Sequence, residues 1–600
     1  MTKQCQNCVR DFEITSDDLQ FYGRFQVPPP TFCPECRLVQ RLAFRNERSL
    51  YKRPCALCGK EKILMYPAGS AFTVYCKECW WSDGWDSKTY GQEYDFSKPF
   101  FEQFAKLLHA VPRPGIVQQG TNPGSDYANR VTDNRNCYLV FGSSRTEHCS
   151  YGVWLNDSQE CVDCYDVQKS QRCYECIDCF QCYNCVLCQE SEGCRNSWFL
   201  LNCRNLDSCF GCVNLRNKSF CIFNKEYSKE EYQRIISSYR CGDITALKEI
   251  ADKFEAFKKQ FIVPSLVVHH STDVSGNWIE GSKNAVHSFT MRNVEEARYC
   301  FSVFDAKDVM DFSYWGNGSE RIYHTANVGN QCANVRFSNE CWNQAIDVEY
   351  CFNCHSSRDL FGCVGLRNAQ YCILNRQYTK GEYVELVTKI KEHMAAMPYV
   401  DVAGASYGYG EFLPPCFSPH AYNETVAQEF FPLTKEEALQ KGFLWKEQEP
   451  RDYQITVSPE KLPPDIQNAP DSITAEVVGC ANSSPDAPVT SVWGRGPDLK
   501  ASGCTTAFKV TADELSLYRS MNVPLPWLCP NCRHYARLGK RNPLHLWERT
   551  CQCKGAQGAN GNTASHFHGA APCPNKFETT YAPERPEIVY CETCYNTEVA

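Results

Sequence analysis

Cysteines in pairs two residues apart open the chain. Cys5-x2-Cys8 is followed by Cys33-x2-Cys36, and Cys55-x2-Cys58 by Cys76-x2-Cys79. A Cys-x2-Cys turn presents two thiolates from one tight knuckle, and two knuckles close a tetrahedron around a soft divalent ion. Zinc held by four cysteines is the expected occupant of both sets. Protein sulfur fills every position and leaves none for water, so these sites predict structure rather than catalysis.

The far end repeats the design. Cys8 to Cys33 and Cys504 to Cys529 both span 25 residues. Between them Phe12, Thr15, Asp17, Leu19, Tyr22, Val27 and Pro28 recur at an offset of 496 as Phe508, Thr511, Asp513, Leu515, Tyr518, Val523 and Pro524. FCPECR matches LCPNCR, which places Cys529 and Cys532 as ligands. The counterpart of Cys5 is Ala501, so Cys480 is the substitute, with the residues between looped out. Cys58, Cys76 and Cys79 recur at an offset of 515 as Cys573, Cys591 and Cys594. Cys551 then stands for Cys55, ahead of an inserted loop carrying Cys553, His566 and His568. That loop reads as a polar insertion with a spare thiol, or as the source of the fourth ligand through Cys553 in place of Cys551. Four structural zinc sites are the expectation.

Another cysteine pattern is denser. CYECIDCFQCYNCVLC, Cys173 to Cys188, has a cysteine at every third position. Over a wider stretch Cys137, Cys149, Cys161, Cys173 and Cys185 fall every twelve residues, and Cys185, Cys194, Cys203, Cys212 and Cys221 every nine. Short regular periods punctuated by Asn, Asp, Ser and Gly indicate stacked coils, in which one position of each coil points inward. Cysteine is among the most often buried residue types and suits such a ladder. FGCVNLRNKSFCIFNKEYSKEEY and FGCVGLRNAQYCILNRQYTKGEY, offset by 151, show that the coiled region is duplicated. In the second copy Cys161, Cys164, Cys194 and Cys209 become Phe312, Trp315, Ala345 and Leu360. A core position tolerates that exchange and a metal ligand does not, so packing is the favoured reading of the tract. A strict period of three cannot face one side of a single strand, so the tract turns corners or gathers thiolates. Its counterparts in the second copy include His324, Asn327, Ala333 and Arg336, so a metal there would be private to the first copy. Each copy closes on a capping box, Ser228-x-x-Glu231 and Thr379-x-x-Glu382, ahead of a helix.

Basic residues flank the knuckles. Arg37, Arg41, Arg45, Arg48 and Lys52 lie at helical spacing, and Arg533, Arg537 and Arg541 repeat the stripe. The formal net charge of the 600-residue chain is −8, which excludes a globally basic nucleic-acid binder but not these local patches. A guanidinium stripe suits a phosphate backbone, RNA or DNA. Its alternatives are a solvated helix face or pairing with acidic patches elsewhere in the chain.

The start, MTKQCQNCVR, has no apolar leader, and no apolar run is long enough to span a membrane. With 41 cysteines, an odd number, a disulfide framework explains little, and a reducing cytoplasm is the expected setting. Phosphate loops, nucleophile elbows and paired-His motifs are missing. His269, His270, Ser271 and Asp273 make the one triad-like cluster, and polar solenoid surface is the simpler account of it. The expected class is mostly β. Two duplicated short-coil β-solenoids are flanked by paired treble-clef or zinc-ribbon-like fingers. The division is fingers at 1–54 and 55–95, copy A with its helix at 96–262, copy B at 263–400, a linker at 401–470 containing the Thr434-x-x-Glu437 capped helix, and fingers at 471–545 and 546–600. Expected roles are a non-enzymatic scaffold docking on RNA or DNA through the arginines, a protein-assembly scaffold that holds partners or itself, or a metal or redox site in the Cys173–Cys188 tract.

The phrases YNETVAQEFFPLTKEEAL, ELSLYRSMNVPLPWLCPNCR and ETTYAPERPEIVYCETCY, with the FGCV-LRN blocks, resemble a family of uncharacterised cysteine-rich proteins. That family belongs to environmental bacterial lineages with small genomes. The resemblance runs over most of the chain. It implies a bacterial cytoplasmic setting and brings no activity or fold with it. Cys480 and the Cys553–His568 insertion depart from the commoner pattern.

Overall fold

The computed structural model describes residues 1–316, 346–447, 453–483, 503–555 and 559–599, with the backbone of Thr325–Gly329 and Asn339–Trp342. His324, Ala333, Arg336, Ala345, Ala501 and the side chain of Asn327 lie outside the described residues.

The coiled regions form β-solenoids. In the first run nearly every coil is twelve residues, with parallel bridges such as Arg135↔Glu147, Tyr138↔Ser150 and Phe141↔Val153 three residues apart along the chain. Four such bridges close one coil, so each side is only three residues long. The backbone shows how. Every third residue from Arg130 to Phe223 has positive φ, including Asp163, Glu175 and Asp178, with glycine at 142, 193 and 211. A left-handed residue resets the alternation of side chains, so the next residue points inward again. Cys173, Cys176, Cys179, Cys182, Cys185 and Cys188 each follow one of these turns, and all are buried. The tract therefore turns a corner at every cysteine. The nine-residue spacing after Cys185 is not a coil, because the twelve-residue register continues through Arg195↔Asp207 and Phe210↔Ile222. It marks cysteines stepping back by one side per coil.

Three-residue sides leave a narrow interior, and it is filled by Cys, Ser, Val and Leu. Where serine occupies the ladder it accepts the N–H of the residue twelve ahead and donates to the carbonyl two behind. Ser158 does both, toward Ser170 N–H and Asn156 O. Backbone polar groups facing inward thus find partners without water. Copy B winds the same way, with Phe289↔Phe301 and Val294↔Ala306 in twelve-residue register. Phe312 and Leu360 fill its interior, whereas Trp315, with φ 73°, is only half-buried. Each run ends on an asparagine that bonds both backbone groups of the preceding coil. These are Asn224 on Val213 and Asn375 on Val364. A hairpin and the expected capped helix follow, Lys229–Ser238 and Lys380–Ala396.

Fingers and solenoids are not grouped in chain order. One compact unit comprises Met1–Ile116, Leu266–Lys446 and Leu544–Leu546. The other comprises Val117–Ser265, Glu447–Pro543 and Trp547–Ala600. The N-terminal fingers thus share a core with copy B, and the C-terminal fingers with copy A. Residues 96–116 group with copy B rather than with the first solenoid. Helix Phe100–Ala110 packs Phe100 and Phe101 on Tyr350 of copy B, and the first solenoid begins after Ile116. The crossing points are matched. Arg113–Pro114 pairs in parallel with Val74–Tyr75 of the second finger, and Ile262–Pro264 with Ile588–Tyr590 of the fourth.

Candidate metal centres

Each finger is built the same way. A hairpin carries the first cysteine pair at its knuckle, and a helix begins at the second. In the first finger Thr2–Gln4 pairs antiparallel with Asp11–Glu13, and Cys33 is the N-cap of helix Pro34–Ala43. Cys76 caps Lys77–Trp80, Cys529 caps Pro530–Leu538, and Cys591 precedes Glu592–Val599. In all four the N–H of that cysteine donates to the first sulfur of the set at 3.2 Å: Cys33 to Cys5, Cys76 to Cys55, Cys529 to Cys480, Cys591 to Cys551. A helix N-terminus aimed at sulfur favours the thiolate.

The structure brings together all sixteen cysteines singled out in the sequence. Cys5, Cys8, Cys33 and Cys36 form one set, and Cys55, Cys58, Cys76 and Cys79 a second. Cys480, Cys504, Cys529 and Cys532 form a third, and Cys551, Cys573, Cys591 and Cys594 a fourth, each with sulfurs within 4.8 Å of one another. Sulfur separations include 3.7 Å for Cys8–Cys33, 4.0 Å for Cys58–Cys76, 3.9 Å for Cys504–Cys529 and 3.7 Å for Cys573–Cys594. A tetrahedron with metal–sulfur bonds of about 2.3 Å has edges of about 3.8 Å. The spacing fits a four-coordinate ion. Without a cation the sulfurs cannot all ionise: the neighbouring thiols Cys33 and Cys5 push Cys36 far above the ordinary thiol range.

Cys480 takes the place of Cys5. Its strand Val478–Gly479 pairs with Ala507–Phe508 as Thr2–Gln4 pairs with Asp11–Glu13. In the fourth finger Cys551 completes the tetrad, and Cys553 lies instead with His566, His568 and Cys594.

No family model matches this chain, and neither does any curated protein or solved structure.

Arg37 and Arg41, and likewise Arg533, Arg537 and Arg541, face the solenoids. Arg37 and Arg41 bond opposite oxygens of Asp311, each at 2.9 Å, and all three side chains are at most 1% exposed. Arg533 and Arg537 converge on Asp163 at 3.1 and 2.9 Å, and Arg537 also reaches Glu175 at 3.0 Å. Arg541 bonds Asp178 at 2.9 Å, Arg45 bonds Glu47 at 2.6 Å, and Arg48 lies 3.7 Å from Glu429. Helical spacing holds for Arg37 and Arg41 on Pro34–Ala43 and for Arg533 and Arg537 on Pro530–Leu538, and that face is buried, whereas Arg45, Arg48, Lys52 and Arg541 lie beyond the helix ends. A desolvated guanidinium already held by carboxylate offers no surface to phosphate. Asp311, Asp163, Glu175 and Asp178 sit at left-handed corners of the coils, where Asp and Asn are tolerated best.

Among the described residues no metal-capable group includes Cys173 to Cys188. Their sulfurs face carbonyl oxygens instead. Cys179 Sγ lies 3.3 Å from Ile177 O and 3.4 Å from Cys188 O, and Cys182 lies 3.5 Å from both Phe180 O and Ser191 O. A thiol donates there, whereas a thiolate would be repelled. Burial pushes Cys149, Cys164 and Cys179 well above the ordinary thiol range. Ser271 of the triad-like cluster is a ladder residue, donating to His269 O at 2.8 Å and accepting Ser282 N–H at 3.0 Å. No helix among the described residues is long and apolar enough to cross a membrane.

Proposed function

We propose that this chain is a non-enzymatic binding scaffold, in which zinc in four closed tetracysteine sites clamps fingers onto a β-solenoid. Four thiolates and no open position suit structural zinc rather than metal catalysis. The observation that carries the reading is the burial of the arginine stripes on Asp311, Asp163 and Glu175. It gives the basic helices an internal partner, and so favours protein assembly over docking on RNA or DNA. The resemblance to cysteine-rich bacterial proteins supports a bacterial cytoplasmic setting for this scaffold.

Native mass spectrometry of the full chain, purified with and without nuclease, tests the reading. A protein partner or stable oligomer that survives nuclease is expected, with metal mass that matches zinc. A retained polymer that nuclease removes would overturn the choice of partner. Anisotropy with RNA and DNA oligonucleotides at low salt gives an independent check, since salt-dependent binding would do the same.

A further inference from the structure

The fourth finger differs from the second by the segment between Cys551 and Cys573, which brings three more metal-binding side chains to the tetrad. Cys553, His566 and His568 gather with Cys594, one donor atom from each within 4.8 Å of the others. Both histidines are already oriented. His566 is buried, and its Nε2 lies 2.8 Å from Glu598 Oε1. Its Nδ1 is a buried nitrogen with no hydrogen-bond partner. Glu598 is itself fixed by the N–H and hydroxyl of Thr563, at 2.8 and 2.9 Å. His568 has Nδ1 2.6 Å from Ala571 O, which turns Nε2 toward Cys594 Sγ at 3.4 Å. One ring nitrogen on a carboxylate or carbonyl and the other free toward a thiol is how metal-bound imidazoles are held. Asn562 places its amide 3.5 Å from Cys553 Sγ while accepting the Tyr590 hydroxyl. The loop closes tightly enough that Gly555, at φ 69°, has no room for a Cβ, which would lie 2.0 Å from Gly569 O.

Cys594 belongs to both sets. We propose that this finger binds two zinc ions bridged by the Cys594 thiolate. One ion is completed by Cys551, Cys573 and Cys591, the other by Cys553, His566 Nδ1 and His568 Nε2. Each ion then has four ligands from seven side chains. Five thiolates against two dications leave a net charge of −1, where a lone tetrathiolate site carries −2, so the second ion relieves the first. Cysteine thiolates bridge readily because sulfur keeps further lone pairs after binding one metal. The chain would then hold five ions, one more than its four tetrads. The proposal extends the zinc reading above but is tested separately from it, because the ion count does not depend on the partner.

The experiment is metal counting by native mass spectrometry on the full chain, beside the His566→Ala/His568→Ala double variant and Glu598→Gln. Five ions are expected in the wild type and four in the double variant. Glu598→Gln is expected to weaken the fifth ion by about 10-fold or more. Four ions in the wild type, or five retained in the double variant, would overturn the second ion. Cobalt substitution tests the bridge. Two Co2+ ions sharing a thiolate couple magnetically, so the spin signal should integrate below five isolated ions. A full five-ion signal would overturn the bridge. The double variant keeps the complete tetrad, so it retains a folded finger in which to count.

Discussion

Among the described residues the finger cysteines and the solenoid cysteines are nearly all buried and free of disulfides, yet they meet different surroundings. Around Cys5, Cys55, Cys480 and Cys551 the neighbours are other sulfurs and a backbone N–H at a helix start. Around Cys176, Cys179 and Cys182 carbonyl oxygens of the same coil and the next join the neighbouring ladder sulfurs. Donors facing sulfur favour the anion and hence a metal. Acceptors facing sulfur favour the thiol. The lesson is that cysteine density says nothing about metal until the backbone geometry is known.

Metal removal should divide the two populations most sharply. Structural zinc contributes about 10–16 kcal/mol at neutral pH in small finger peptides. Chelation of the full chain should therefore strip protection from amides near Cys5–Cys36 and Cys504–Cys532, while the coils from Cys137 to Cys221 keep theirs. Hydrogen exchange reads both at once. Equal loss in coils and fingers would break the distinction.

The arginines tie one population to the other, because the helix that starts at a metal site carries the guanidinium that reaches the coil. Arg37→Ala or Arg537→Ala would leave Asp311 or Glu175 buried without full compensation. The expected destabilisation is about 3–5 kcal/mol. Denaturant unfolding measures it, and metal content should stay unchanged. A loss below about 1 kcal/mol would mean that the staples are dispensable.

The same interface carries a pH dependence. Burial pushes the Glu175 carboxyl up to about 7 despite Arg537, and Asp178 to about 7 despite Arg541. The unfolded groups titrate near their ordinary values of 4.5 and 3.8. The folded state then holds more protons between those limits, so stability falls as pH rises through that window and is lowest above 7. Glu175→Gln removes one such group and should flatten the decline between pH 5 and 8 relative to wild type. An unchanged slope would show that Glu175 stays ionised throughout.

Much of this was legible in the sequence, for physical reasons that differ by region. The tetrads were readable because a Cys-x2-Cys knuckle is local, and the offset of 496 carried Cys8 onto Cys504 without a structure. Cys480 was found only because its position lay vacant. The three-residue coil side was written in CYECIDCFQCYNCVLC, but a period of three fits no ordinary strand. Only left-handed residues at every corner, such as Arg172, Glu175 and Asp178, make it possible. The arginine stripe is a helix face only at Arg37, Arg41, Arg533 and Arg537, and it misleads as a surface, since burial depends on Asp311 and Asp163, 274 and 370 residues away. His566 and His568 read as polar insertion, and Cys553 as a spare thiol or a substitute for Cys551. C-x-C at Cys551–Cys553 followed by H-x-H was the available signal, and a ligand shared between two sets is invisible to spacing.

The finest test exchanges one atom. Cys203 lies in the ladder, its Sγ 3.4 Å from both Leu201 O and Cys212 O. Ser191 and Ser197 occupy equivalent inward positions and bond the carbonyl two residues behind at 2.9 and 2.6 Å. A hydroxyl at 203 can donate to the same carbonyls, so Cys203→Ser should cost only about 1 kcal/mol and leave the metal count intact. Cys529→Ser replaces the same sulfur by the same oxygen in a tetrad. Oxygen is a hard, neutral, poorly ionised ligand there, so that variant should lose its ion and unfold the third finger. Paired thermal melts and metal analyses of the two variants separate the roles. If Cys203→Ser cost as much as Cys529→Ser, or shed metal, the solenoid thiols would not be packing alone.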